Sequence, residues 1–176
     1  MQHKDNYRRQ AGQPLLTITQ LCCATTLLFV SFNSHADIRG SVVRVLDGDT
    51  IEVLQEDNEL TRVRLNGIDA PEKAQPFGQR SRQALTAMIA GKVVHIAGNN
   101  RDRYGRLLGT VWYDSADINA IQVIHGMAWA YRYKGKAMVQ AYAEREEKAR
   151  KNRTGLWEEP APVEPWRWRK LHNSEN

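Results

Sequence analysis

Two short turns carry more carboxylates than a turn requires. Asp47-Gly48-Asp49-Thr50 interrupts a β-branched run, and Asp69-Ala70-Pro71-Glu72 follows another. A hairpin accounts for Asp47 and Gly48, because Asp-Gly is an expected turn dipeptide, and Pro71 fixes the second backbone. Neither turn accounts for Asp49, since a carboxylate at a strand start gains little there. Spare carboxylates on two turns point to a cation held by oxygen ligands, with calcium the natural candidate outside the cell. The D-x-D-x-D-G spacing of an EF-hand is missing, and on carboxylates alone two solvated turns remain the simpler reading. The arginines shift that balance. Arg64 lies a few residues before Asp69, and Arg106 closes Asp102-Arg103-Tyr104-Gly105-Arg106. Guanidinium groups clamp phosphate oxygens bidentately, which lysine does less well. Two arginines, a metal-type carboxylate pair and a spare Glu72 are the groups that phosphodiester hydrolysis needs.

These residues must be held by short strands. Residues 41–46, 51–54 and 61–65 are β-branched and separated by Asp-Gly and Asp-Asn turns, which predicts an antiparallel meander. In the last of them Val63 and Leu65 share one face, Arg62 and Arg64 the other. A helix is predicted after Pro76, with Phe77, Ser81, Ala84, Leu85 and Met88 as its stripe and Gly91 as its stop. Residues 93–97 and 107–113 supply two more strands. Asp117 can cap a short helix that Gly126 ends. A third helix is expected over 138–151, with Met138, Ala141, Tyr142, Arg145 and Ala149 on its inner stripe. Beyond Gly155 the Glu/Pro-rich stretch reads as an extended or loose tail. Five short strands with interspersed helices fit a small curled sheet, such as the five-stranded Greek-key barrel.

The N-terminus reads differently from the rest. Lys4, Arg8 and Arg9 precede an apolar run over residues 21–32, followed by Ser34-His35-Ala36. That pattern predicts a secretory signal peptide, residues 1–36, cleaved after Ala36. The run falls short of the ~20 apolar residues that span a bilayer, so an uncleaved anchor is the weaker reading. Cys22 and Cys23 are the only cysteines of the 176-residue chain and leave with the signal, so the exported protein needs no disulfide framework. The expected destination is the periplasm or the medium, with no transmembrane segment in the mature chain. The formal charge of +5 favours acidic partners without naming one.

Other chemistries fail on composition. Only His95, His125 and His172 remain after the signal, with no cysteine and no H-E-x-x-H, which disfavours zinc. No G-x-S-x-G occurs. Trp166-Arg167-Trp168-Arg169-Lys170 could stack on single-stranded bases or sit at a membrane surface. The favoured reading is a C-terminal segment that folds its tryptophans back onto the barrel.

Taken together, Asp47-Gly48-Asp49-Thr50, then Arg64-Leu65-Asn66-Gly67-Ile68-Asp69-Ala70-Pro71-Glu72, then Asp102-Arg103-Tyr104-Gly105-Arg106 resemble the three signature blocks of staphylococcal (micrococcal) nuclease-type thermonucleases. Order and approximate spacing agree, and the resemblance spans roughly residues 38–157. It implies an α+β fold, a five-stranded OB-fold Greek-key β-barrel with about three α-helices, over residues 37–158, leaving 159–176 as a Pro/Trp/basic tail. It also implies Ca2+-dependent cleavage of DNA and RNA to 3′-phosphate ends, by a monomer without a stable protein partner. Asp49 and Asp69 then match the calcium carboxylates, and Ala70 matches a backbone-carbonyl ligand where threonine is familiar. Arg64, Glu72 and Arg106 match the three catalytic positions, and Tyr104 and Tyr131 match aromatics that line the nucleotide site. The chain is shorter than the staphylococcal type between Glu72 and the first helix, where that enzyme carries a lysine-rich loop. The rival expectation is a non-catalytic OB-fold protein that binds single-stranded nucleic acid. Glu72 counts against it, because a carboxylate beside a phosphate site repels the ligand unless it serves chemistry or a metal.

Overall fold

The computed structural model describes residues 37–173. The predicted signal peptide lies outside these residues. Ten strands follow in order: β1 (Asp37–Val45), β2 (Thr50–Gln55), β3 (Leu60–Leu65), β4 (Ile68–Asp69), β5 (Val93–Arg101), β6 (Leu107–Tyr113), β7 (Ala116–Asp117), β8 (Trp129–Ala130), β9 (Arg132–Tyr133) and β10 (Lys136–Ala137). Helix α1 (Gly78–Ile89) follows β4, α2 (Ile118–Ile124) follows β7, and α3 (Gln140–Lys151) follows β10. A 3-10 turn (Gly155–Glu158) and helix α4 (Pro165–Asn173) end the described chain.

Period-2 alternation builds the barrel. Val63 and Leu65 are buried while Arg62 is exposed and Arg64 half-buried, so β3 sends its apolar residues inward as its pattern predicts. Strands pair in the order β3-β2-β1-β5-β6, and a parallel β3–β6 pairing, Val63 opposite Leu107 and Leu65 opposite Gly109, closes the sheet. Closure leaves no open edge among these five strands. Ile51, Val53, Val94, Ile96 and Val111 fill the interior, covered by Leu85 and Ile89 of α1 and Val123 of α2. Burying each such side chain contributes about 1.5–3 kcal/mol. The expected five-stranded barrel is present, with four α-helices among the described residues.

Helix α2 starts as predicted, and α1 one residue later, with Phe77 left-handed before it rather than in its stripe. Helix α1 begins directly after Phe77, and the Asp117 side chain accepts a bond from the Ala120 N–H at the head of α2. Helix α3 differs. It starts at Gln140, leaving Met138 exposed, and it buries Tyr142, Glu146 and Ala149 while Arg145 faces out. Glu146 goes inside because it accepts from the Ala130 N–H at 2.7 Å, Arg132 at 2.9 Å and Arg150 at 2.8 Å. A buried carboxylate is tolerated when it is fully paired in this way.

The C-terminal segment is not the loose tail its Glu/Pro-rich stretch suggests but docks, as the favoured reading of its tryptophans expects for Trp166. Trp129, Ala149, Leu156 and Trp157 form a second small core. Trp166 of α4 packs edge-on against Trp129 at 5.7 Å between ring centroids. That anchor converts the tail into a docked helix. Trp168 instead stacks on His172 within α4 at 4.0 Å. Among the described residues no helix is long and apolar enough to cross a membrane.

Candidate active site

Asp49 is placed by the β1–β2 turn. Its backbone N–H donates to Asp47 Oδ1 at 3.0 Å, and its carbonyl accepts from the Leu65 N–H at 2.8 Å. The carboxylate is then held by the Ala70 N–H at 2.6 Å and the Thr50 hydroxyl at 3.1 Å. Gly48 serves closeness as well as turning: a Cβ there would sit 1.8 Å from Ser81 Oγ and 2.7 Å from Ala70 Cβ. Glycine is what lets the turn lie flat against α1 and the Asp69-Ala70 segment.

Asp69 is placed by a two-residue ladder, Ile68 opposite Ala130 and Asp69 opposite Trp129. Pairs this short have no period to read in the sequence, and this one pins the acid. Arg64 reaches across from β3. Its Nη2 lies 2.9 Å from Asp49 Oδ2 and 2.9 Å from Asp69 Oδ1, while Nη1 donates to the carbonyls of Leu65 and Ile68. One nitrogen therefore marks a point on which both acids converge. Both are almost wholly buried. Burial pushes the Asp49 carboxyl up to about 6, against the pull of Arg64 and with the push of Asp47. Burial raises Asp69 as well, and the neighbouring Asp49 charge adds to the effect despite Arg169 and Arg64.

Glu72 stands on the loop before α1. Its backbone N–H donates to Gln75 Oε1 at 3.1 Å, and its carbonyl accepts from the Gln75 N–H at 2.9 Å. Gly78 packs on that carbonyl so closely that a Cβ would lie 2.0 Å from it. The loop is thus folded tightly onto the start of the helix, with the Glu72 side chain half-exposed. Arg106 comes from the β5–β6 turn, where the Asp102 carboxylate accepts from the Tyr104 and Arg106 N–H groups and pairs with the Arg106 guanidinium at 2.7 Å. Burial works against the Asp102 charge, but these three donors outweigh it and hold its pKa below the usual range. Tyr104 is exposed beneath the Arg103 and Arg106 guanidiniums, 4.8 and 5.4 Å from its ring centroid. Tyr131 follows β8, its N–H bonded to the Gly67 carbonyl.

All eight predicted site residues, Asp49, Arg64, Asp69, Ala70, Glu72, Tyr104, Arg106 and Tyr131, line one cleft of about 640 Å³. The cleft also contains Arg169, which the sequence reading did not place there. From α4 it donates to Asp69 Oδ2 at 2.8 Å, Asp69 Oδ1 at 3.2 Å and Glu72 Oε1 at 2.5 Å. The only signal for it was the Trp/Arg alternation of 166–170, which predicts docking without naming the acid that receives it.

The donor set suits a hard cation. Two buried, converging carboxylates with raised pKa values form a pair that a positive charge relieves. Among the described residues no three His, Cys, Asp or Glu side chains gather into a metal site. Asp49 and Asp69 could then hold a hard cation together with carbonyl or water oxygens.

Comparison with known proteins gives the family. The family described as staphylococcal nuclease homologue matches residues 62–159. A micrococcal nuclease of Shigella flexneri is 45% identical over 164 residues, covering 88% of this chain and 94% of its own. Protein ParB of Escherichia coli is 46% identical over 160 residues, 86% and 90% of the two chains. An uncharacterized endonuclease of Escherichia coli O157:H7 is 45% identical over 135 residues, 76% and 86% of the two chains. The chain belongs to the staphylococcal nuclease family.

Proposed function

We propose that this protein is an exported, calcium-dependent nuclease that hydrolyses phosphodiester bonds of DNA and RNA alike and leaves 3′-phosphate ends. The observation that carries the reading is the convergence of buried Asp49 and Asp69 on one nitrogen of Arg64, with Glu72 and Arg106 in the same cleft. Asp49, Asp69 and the Ala70 carbonyl would hold the cation, and calcium, when bound, would neutralise a phosphate oxygen and organise water.

The protein's own groups do the rest. Glu72 accepts a proton from the attacking water or orients it, with a side chain exposed enough to meet solvent. Arg64 and Arg106 stabilise the charge that builds on phosphorus, an interaction stronger in the transition state than in the ground state. Arg106 acts through its charge and its N–H donors, not as the proton donor to the leaving oxygen. Tyr104 and Tyr131 offer ring faces to nucleotides. Recognition through phosphate reads no base, which supports acceptance of either sugar and of many sequences. The basic, apolar N-terminal segment ending at Ala36 supports export to the periplasm or medium, and the molecule acts as a monomer.

Residues 37–176, incubated with single-stranded DNA and RNA in calcium, in magnesium and in chelator, test this reading. The expected result is calcium-dependent cleavage of both, with 3′-phosphate termini. Tight binding without cleavage in every condition would hand the case to a binding module.

A further inference from the structure

Arg169 reaches the site by a route of its own. Trp166, one helical turn before it in α4, packs against Trp129, the residue paired with Asp69 across β4–β8. Gln75, whose side chain accepts from the Glu72 N–H, donates to the carbonyl of Val163 at 2.6 Å just before α4. The two anchors thus fasten the C-terminal arm to the two segments that carry Asp69 and Glu72, and Arg169 bridges those same acids. The contacts are mutually consistent and span 97 and 100 residues of sequence. The arm is built onto the site rather than resting near it.

Charge makes the consequence specific. Asp49, Asp69 and Glu72 are three acids, and the single charge of Arg64 is shared between Asp49 and Asp69. Arg169 supplies a second positive charge and engages both oxygens of Asp69. A cation on Asp69 would meet a guanidinium already on that carboxylate, and like charges so close are strongly unfavourable in a buried site. The same guanidinium ties up Glu72, the one acid that faces solvent to work on water.

We propose that α4 is an intramolecular latch: Arg169 occupies Asp69 and Glu72 in place of the divalent cation and the attacking water, and the arm must release them before turnover. The proposal rests on the calcium reading above. Cation uptake and latch opening are then one coupled equilibrium, each opposing the closed arm.

The test compares residues 37–176 with the Arg169→Gln and Trp166→Ala variants of the same chain. Calcium chloride is titrated by calorimetry without substrate, and cleavage is followed separately against calcium and against substrate. The latch predicts a calcium dissociation constant lower by on the order of tenfold in Arg169→Gln, with a change in the same direction in Trp166→Ala. The calcium needed for half-maximal cleavage should fall in step, with kcat not reduced. Unchanged calcium affinity in both variants overturns the latch and leaves the nuclease reading standing. Weaker calcium binding, or a raised KM at unchanged calcium affinity, overturns it too, because Arg169 would then build the site or grip the substrate. Absence of calcium uptake in all three proteins overturns the latch and the calcium reading together.

Discussion

The Ala70 N–H donates to Asp49 Oδ2 at 2.6 Å, so a residue matched to a carbonyl ligand also holds the carboxylate beside it. The β1–β2 turn and the segment after β4 are thereby locked to one another at the point where a cation would bind. A rigid donor pair loses little freedom on taking up an ion, which is the physical value of the lock.

That arrangement separates charge from shape at residue 49. Asp49→Asn keeps an acceptor for the Ala70 N–H and removes the negative charge. The calcium requirement for cleavage should rise by roughly 10–100-fold or more. A calcium titration of activity superimposable on wild type would exclude Asp49 as a ligand.

Arg106 is held side-on by Asp102 at 2.7 Å, which orients its guanidinium fork toward the cleft. Arg106→Lys keeps the charge and loses the fork. We expect kcat to fall roughly 10²-fold with a smaller change in KM, the pattern of a contact made mainly in the transition state. Equal kcat values in steady-state kinetics would remove Arg106 from charge stabilisation.

Away from the site, Glu52 lies buried between Arg44 at 2.6 Å and Arg62 at 2.8 Å. The Arg62 hydrogen bond leads, against the opposing pull of burial and with help from Arg44, in holding its pKa below the ordinary 4.5. A depressed folded-state pKa adds stability above the unfolded value and loses it as pH falls through the folded one. Glu52→Gln should therefore cost about 1 kcal/mol at pH 7, modest because both arginines are solvent-exposed. The cost should shrink below pH 4. Urea midpoints differing by the same amount at pH 7 and pH 3 would contradict this.

Much of the site was legible because Asp49, Asp69 and Glu72 stand in or beside turns whose residue types outrun what a turn requires, and Arg64 stands on the polar face of β3. The Asp117 helix cap was legible from its residue type as well. The β4–β8 ladder was not legible, since two residues carry no period. Glu146 was missed because a carboxylate in a helical pattern reads as solvent-facing until its partners from β8, β9 and α3 itself are known. Arg169 was missed for a related reason: its partners lie 97 and 100 residues away, a separation along which no local pattern runs.

Glu72 offers the most direct test, because the proposed mechanism gives it the work on the attacking water. In Glu72→Gln, single-turnover cleavage of single-stranded DNA should fall by roughly 10²–10⁴-fold, while calcium uptake and nucleotide binding, followed by calorimetry, persist. Cleavage near the wild-type rate would remove Glu72 from the chemistry and contradict the mechanism.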